Sequence, residues 1–226
     1  MRTALAFQSS AHLISYFLRG HALPVTLVVC SSREQFVAEL QNACASEQSN
    51  AYEDFSSASS HGDFSGLVMN TIEMLSLSSD VVLLYAPTLH HLRAFLSVHR
   101  PAFSDEVFNA EAPDTTSLAF WGLIDLHRST ADYTAQGLSR TISLAVETAY
   151  LAKQRLILAE PVIARTSDDS EETLVLSPWE EQVPLLSDSV KIEGGRQTLA
   201  VHSLQVGNII QRWCSITAPT LSVVDH

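Results

Sequence analysis

The stretch LAFWGLIDL at residues 118–126 decides the fold. Its one charged side chain, Asp125, comes next to last. A run this apolar has no face to offer water, and a strand buried on both faces belongs to a parallel sheet covered by helices on each side. Four more runs of the same kind surround it: TALAF at 3–7, VTLVVC at 25–30, VVLLY at 81–85 and RLILAE at 155–160. Between them, apolar residues recur at helical spacing. Leu13, Ile14, Phe17 and Leu18 form one stripe, Phe36, Val37, Leu40 and Cys44 the next, then Leu67, Val68, Ile72, Met74 and Leu75. Leu89, Leu92, Phe95 and Leu96 give a fourth, and Leu138, Ile142, Ala145, Val146, Ala149 and Tyr150 a fifth. Strands alternating with helices predict a three-layer α/β domain with a mostly parallel sheet.

One such domain spans residues 1–226 in this reading, interrupted by flexible loops near 45–66, 100–116 and 165–187, where the chain turns polar or proline-punctuated. The tail from Val190 to Ile216 reads as two or three strands with turns at Gly194-Gly195 and Gly207-Asn208, extending the sheet antiparallel. At the helix starts, Ser9 and Ser10 follow the first strand. Ser31 and Ser32 follow the second, with Glu34 and Gln35 three residues beyond each, a capping-box pattern.

Thirteen basic residues against 25 acidic ones give a formal net charge of −12. The excess is spread evenly: through Pro113 there are 5 basic and 11 acidic residues, and after it 8 and 14, so each part sums to −6. No basic tail hides in the average, which opposes independent binding to nucleic acid or an anionic membrane. Three cysteines without a CxxC pair support neither a disulfide framework nor a zinc knuckle and point to a reducing compartment, nuclear or cytoplasmic. No stretch approaches a membrane span.

The strand-to-helix turns read FQSSAH, VCSSRE and YAPTLH, without GxxxxGK[ST] or GxGxxG, so the elements that cradle phosphate are absent and no cofactor is predicted. The serines after the strands are read as helix caps rather than nucleophiles, and Cys30 as a buried thiol although a helix start follows it. The adjacent pair His90 and His91 points to two sides of a helix, and with His99 and His127 is read as surface or capping rather than as metal ligands. Asp125 differs, because an acid closing a buried strand stands at the carboxyl edge of the sheet, where α/β proteins place their chemistry; the other reading, of equal weight, is that it caps the next turn through His127 to Thr130.

The order of a buried strand ending in Asp125, then Arg128, a polar loop, the long helix QGLSRTISLAVETAYLA and the strand RLILAE resembles the second half of the RecA-type recombinase core. The closing VGNIIQRWCSI is similar to late strands of recombinase paralogues. The resemblance covers roughly residues 118–216. It implies that Asp125 holds a degenerate Walker-B-like position and that Glu160 stands where a γ-phosphate sensor would be. Two departures remove the ATPase: the phosphate loop is missing, and the loop after the late strand is DDSEE, the wrong sign for phosphate. What the resemblance implies is therefore a non-catalytic, pseudo-ATPase paralogue of the Shu-complex type, joined to another RecA-like subunit in a hetero-oligomer that assists homologous recombination and DNA repair. DNA is reached only within that complex. The least acidic candidate surface is the loop after the aspartate-bearing strand, with Arg128, Tyr133 and Arg140 as the candidate nucleic-acid contacts; the favoured alternative is that Arg128 pairs with Asp125 or Asp132 and Arg140 lies on the solvated face of its helix. The alternatives are a small-molecule hydrolase or thiol enzyme at the sheet edge, and a RecA-like scaffold of an Elongator-type complex in transfer-RNA modification.

Overall fold

The computed structural model describes residues 1–19, 23–53, 72–99, 116–166, 173–186 and 203–217. The first half contains β1 (Arg2–Phe7), α1 (Ser10–Leu18), β2 (Val25–Val29), α2 (Arg33–Glu53), α3 (Ile72–Ser78), β3 (Val81–Tyr85) and α4 (Leu89–Val98). The second begins with β4 (Ser117–Trp121), α5 (Leu123–Arg128), α6 (Ala135–Leu151) and β5 (Arg155–Pro161). It ends with β6 (Ile163–Thr166), β7 (Thr173–Leu176), β8 (Gln182–Pro184), β9 (Ser203–Gln205), α7 (Val206–Ile210) and β10 (Ser215–Ile216).

Six strands form one sheet in the order β10-β1-β5-β4-β2-β3, and every pairing in it is parallel. The registers are unbroken, with Leu27 opposite both Leu83 and Ala119, and Ala119 opposite Ile157. Side chains alternate between two apolar layers. Leu5, Phe7, Leu27, Val29, Trp121 and Ile157 join Leu13 and Phe17 of α1 and Phe36 of α2 on one face. Val28, Phe120, Leu156 and Leu158 meet α4, α5, α6 and α7 on the other. The three-layer α/β architecture follows from the five apolar runs, each of which supplies a strand of this sheet, although the run at 118–126 does so only through Trp121.

The tail departs from the sequence reading. β10, which joins the main sheet, runs parallel to β1, while the antiparallel pairings are two separate ribbons, β6 with β7 and β8 with β9. Gly207 and Asn208 lie inside α7 rather than in a turn, because Gly207 brings the helix against Trp179, whose carbonyl oxygen lies 2.9 Å from where a Cβ would stand. The Gly194-Gly195 turn lies outside the described residues.

Two of the expected loops are partly structured. α2 continues through residues 45–53, since Gln, Glu and Ala, all good helix formers, propagate a helix once a capping box has started it. Ser32 and Gln35 form that box, each side chain accepting from the other's backbone N–H at 3.2 and 3.1 Å. The segment near 165–187 contains β7, the 3-10 turn Pro178–Glu180 and β8. The expected loop at 100–116, except its last residue, falls outside the described residues, as do Leu67 and Val68. Among the described residues no helix is long and apolar enough to cross a membrane.

Candidate functional site at the carboxyl edge of the sheet

The run LAFWGLIDL is not one strand. β4 ends at Trp121, Gly122 turns the chain at φ +73°, and Leu123 to Arg128 form α5. Asp125 therefore sits in the first turn of a helix and is exposed, a correction to its expected place at a strand end. The apolar run continued across the junction because Leu123, Ile124 and Leu126 are as buried as the strand, and periodicity cannot separate two buried elements in so short a space. Gly122 is required by that left-handed backbone, and its N–H donates to the Ala159 carbonyl of neighbouring β5 at 3.0 Å.

The next residue of β5 is Glu160, only 2% exposed. Its Oε1 accepts from the Ile124 N–H at 2.8 Å, so a buried carboxyl caps the start of α5 from the adjacent strand. Burial pushes this carboxyl up to about 8, helped by the charge of Asp125 and opposed by the Ile124 hydrogen bond and Arg128. Cys30 closes β2 on the other side of β4, its N–H donating to the Trp121 carbonyl at 2.9 Å. It is 5% exposed, and burial, then the charges of Glu160 and Asp125, raise its thiol well above the ordinary range. A thiol held protonated in this way lacks the thiolate that nucleophilic chemistry needs.

Arg128, one helical turn beyond Asp125, organises the outer layer. Its Nη1 donates to Asp125 Oδ1 at 2.6 Å, and its Nη2 and Nε donate to Glu181 Oε2 at 2.7 and 3.1 Å. Burial alone would lower the guanidinium, but the paired carboxylates win and it is raised, hence permanently charged. The Tyr133 hydroxyl is buried without a well-aligned hydrogen bond, yet close enough to Glu181 that burial and this carboxylate push the phenol up. The loop thus brings Asp125, Arg128 and Tyr133 together, with Glu181 as the member that sequence reasoning missed. It belongs to a segment 53 residues away, and nothing in the local pattern announces the pairing.

Arg140 lies apart. It is exposed and lines a shallow depression of about 320 Å³ on α4 and α6 with Arg93, Ser143, Leu144 and Glu147. Arg93 donates to Asp132 Oδ2 at 2.7 Å and to Thr141 Oγ1 at 3.2 and 3.3 Å. Thr141 in turn lies 3.1 Å from Nε2 of His127. That histidine, expected at the surface, is fully buried, and its Nδ1 donates to the Leu123 carbonyl at 3.0 Å, which leaves Nε2 to accept from Thr141. Burial lowers its pKa, so it is neutral. His90 and His91 are exposed, and Thr88 caps α4 through His91.

At the first strand-to-helix turn, where a phosphate loop would stand, Ser9 Oγ accepts from the His12 N–H at 3.3 Å and lies 2.8 Å from His12 Nδ1. The turn is closed by a serine cap. Among the described residues no cluster of three or more His, Cys, Asp or Glu could hold a metal ion.

Among the described residues, internal pairs thus stand at the ends of β1, β4 and β5: Glu160 with Ile124, Arg128 with Asp125 and Glu181, and Ser9 with His12. No curated protein matches the chain. The family model described as SPAC22G7.03-like matches residues 10–217, and the chain belongs to the SPAC22G7.03-like family.

Proposed function

We propose that this chain is a non-catalytic RecA-like subunit of a nuclear or cytoplasmic hetero-oligomer that assists homologous recombination and DNA repair. The observation that carries the non-catalytic part is the closure of the sheet edge by the chain's own groups. The position of a phosphate loop holds a Ser9 cap, the Walker-B-like Asp125 is tied to Arg128, and Glu160 is spent on capping α5. Catalysis on a phosphate needs donors and a metal-binding carboxylate aimed at open space, and here those groups face one another.

Support for the RecA-like part comes from the strand order. The Glu160 strand β5 lies between β1 and the β4 strand that leads to Asp125, so the two acids on which the resemblance rests come from neighbouring strands. The process rests on the resemblance of residues 118–216 to recombinase paralogues. A thiol enzyme using Cys30 is disfavoured by the burial of its sulfur.

The test is to isolate the tagged full chain from its own cells, identify the subunits bound to it, and titrate the isolated complex and chain with labelled ATP. A second RecA-like recombination subunit should co-purify, and the chain alone should give no saturable nucleotide binding. Elongator subunits in its place would move the protein to transfer-RNA modification, and saturable micromolar ATP binding by the chain would overturn the non-catalytic reading.

A further inference from the structure

The two edges of the main sheet are treated differently. On one side the last strand is β10, only two residues long, and so short an edge offers little template for pairing. On the other side the last strand is β3, five residues VVLLY with no charge, proline or bulge, hydrogen-bonded to β2 along its whole length. Among the described residues nothing pairs its outer edge.

Its side chains are also poorly covered. Val81 and Tyr85 pack into the layer with α1 and α2, so Leu83 between them faces the same way, and Leu84 packs into the opposite layer, so Val82 shares that direction. Leu83 is 39% exposed and Val82 is 52% exposed. Both faces of the strand are therefore open at its middle. Parallel strands of this composition are otherwise buried on both faces, as β2 and β4 are here. On the α1 and α2 side, Val37 of α2 and Ile72 and Leu75 of α3 are exposed as well, although α2 sends Phe36 into the core against Tyr85.

Among the described residues, Asp80, directly before β3, is exposed; on α2, whose Phe36 meets Tyr85 of β3, Glu34 and Glu39 are exposed together with one cation, Arg33, and the chain as a whole carries −12. A second copy would bring the same negative charge to the same place, which opposes self-pairing.

We propose that β3 is a docking edge for another protein, which adds a strand of alternating apolar residues flanked by lysine or arginine. Main-chain hydrogen bonds to β3 supply the pairing, Val82 and Leu83 supply apolar contacts above and below it, and the flanking basic residues meet the acidic surround. The inference deepens the subunit reading by giving the partner a surface. Its test is read on the edge itself, so it succeeds or fails whether or not that partner is RecA-like.

The experiment uses the full chain and three fluorescent ten-residue peptides, read by polarisation and by amide hydrogen exchange of β3. The first peptide alternates Val and Thr between paired lysines, the second carries glutamates in place of the lysines, and the third is the first with a central proline. The lysine peptide should bind saturably, at least about tenfold tighter than the glutamate peptide and more weakly as salt rises. It should slow exchange in β3, and the proline peptide should not bind, because it cannot complete the ladder. Val82→Lys, at an exposed position, should keep the thermal midpoint within a few degrees, abolish binding of the lysine peptide and favour the glutamate peptide. A Thr substitution at the same site should retain binding and so controls for misfolding. Equal binding of all three peptides, or none, overturns the proposal. So does a dimer of the chain that Val82→Lys dissolves, or exchange in β3 already as slow as in β2 without peptide, which would mean that the chain covers its own edge.

Discussion

The guanidinium of Arg128 holds the carboxylate of Glu181 from 53 residues away, with two nitrogens on one oxygen at 2.7 and 3.1 Å, while a third nitrogen reaches Asp125. This single side chain fastens the segment that carries β8 to α5, and so to the carboxyl edge of the sheet. Glu181 is the more enclosed of the two carboxylates, its side chain 16% exposed against 62% for Asp125, so the Glu181 pair is the one that matters energetically.

Replacing Arg128 by Ala leaves a mostly buried carboxylate beside Tyr133 and should destabilise the fold by about 1 to 3 kcal/mol, less than a fully buried pair because Arg128 is partly solvated. Lysine at this position should recover only part of the loss, since one ammonium cannot reproduce the fork. Urea unfolding of the three proteins measures this. An alanine variant as stable as the wild type would show that the β8 segment is held by its apolar contacts alone.

Glu160 gives a pH dependence of unusual sign. Its folded carboxyl titrates near 8, above the ordinary 4.5, so between those values the native state binds a proton that the unfolded chain has lost. Stability contributed by this group is full below about 4.5, falls as pH rises through the window, by at most about 1.4 kcal/mol per pH unit, and levels off above about 8. His127 and His12 work the other way: their folded values are lowered from 6.5, so they cost stability as pH falls below that value. Between about 6.5 and 8, of these three groups only Glu160 makes stability decline. Glu160→Gln keeps an acceptor for the Ile124 N–H and removes the titration, and its thermal midpoint should be flat across that window while the wild type declines. Parallel profiles for the two proteins would place the proton elsewhere.

Five strands were legible because an unbroken apolar run marks a strand of a covered parallel sheet: β1, β2, β4 and β5 are buried, β3 is the exposed edge of the same pattern, and the three-layer order followed. Ser9 and Ser32 were legible as caps because capping acts within three residues. What failed was whatever depends on distance or on the end of a buried element. Asp125 looked like the close of a strand because Gly122 ends β4 without interrupting the apolar run. His127 looked like a surface residue because its partners, Leu123 and Thr141, neutralise its polarity only once α5 and α6 are packed together. Glu181 and the parallel pairing of β10 depend on contacts that no local pattern encodes.

Gly137 tests how tightly the loop before α6 is drawn in. A Cβ there would lie 2.1 Å from the Asp132 carbonyl oxygen and 3.0 Å from its carbon, both backbone atoms that cannot rotate away. Asp132 is held in place by its ion pair with Arg93, and Thr134 Oγ1 accepts from the Gly137 N–H at 3.0 Å. In an exposed helix Ala is worth up to about 1 kcal/mol over Gly, but here the clash should reverse the sign and Gly137→Ala should cost about 1 to 3 kcal/mol or more. Calorimetry of the variant, with Gly137→Ser as a second, larger probe, should show a falling midpoint in that order. A gain in stability would mean that the loop yields readily.

In the complex proposed above, Arg140 is the cation to test for contact with nucleic acid. Arg128 is neutralised by two carboxylates and Tyr133 turns its hydroxyl inward, so of the three loop residues with a case for such contact these two are spent on holding the site together. Arg140 stands exposed on α6 beside the Arg93 and Asp132 pair, in a depression that also contains Glu147. Each phosphate neutralised by a cation contributes about 0.9 to the slope of log affinity against log salt on duplex DNA and about 0.7 on a single strand. In the assembled complex, Arg140→Ala should therefore weaken DNA binding and reduce that slope by about one unit or slightly less, equally for unrelated sequences, because a phosphate contact reads no bases. Arg128→Ala should leave the slope unchanged, whatever it does to stability. A slope that moves with Arg128 and not with Arg140 would show that the Asp125 and Glu181 pairs open in the complex, and that the carboxyl edge itself, rather than the α6 surface, meets the phosphates.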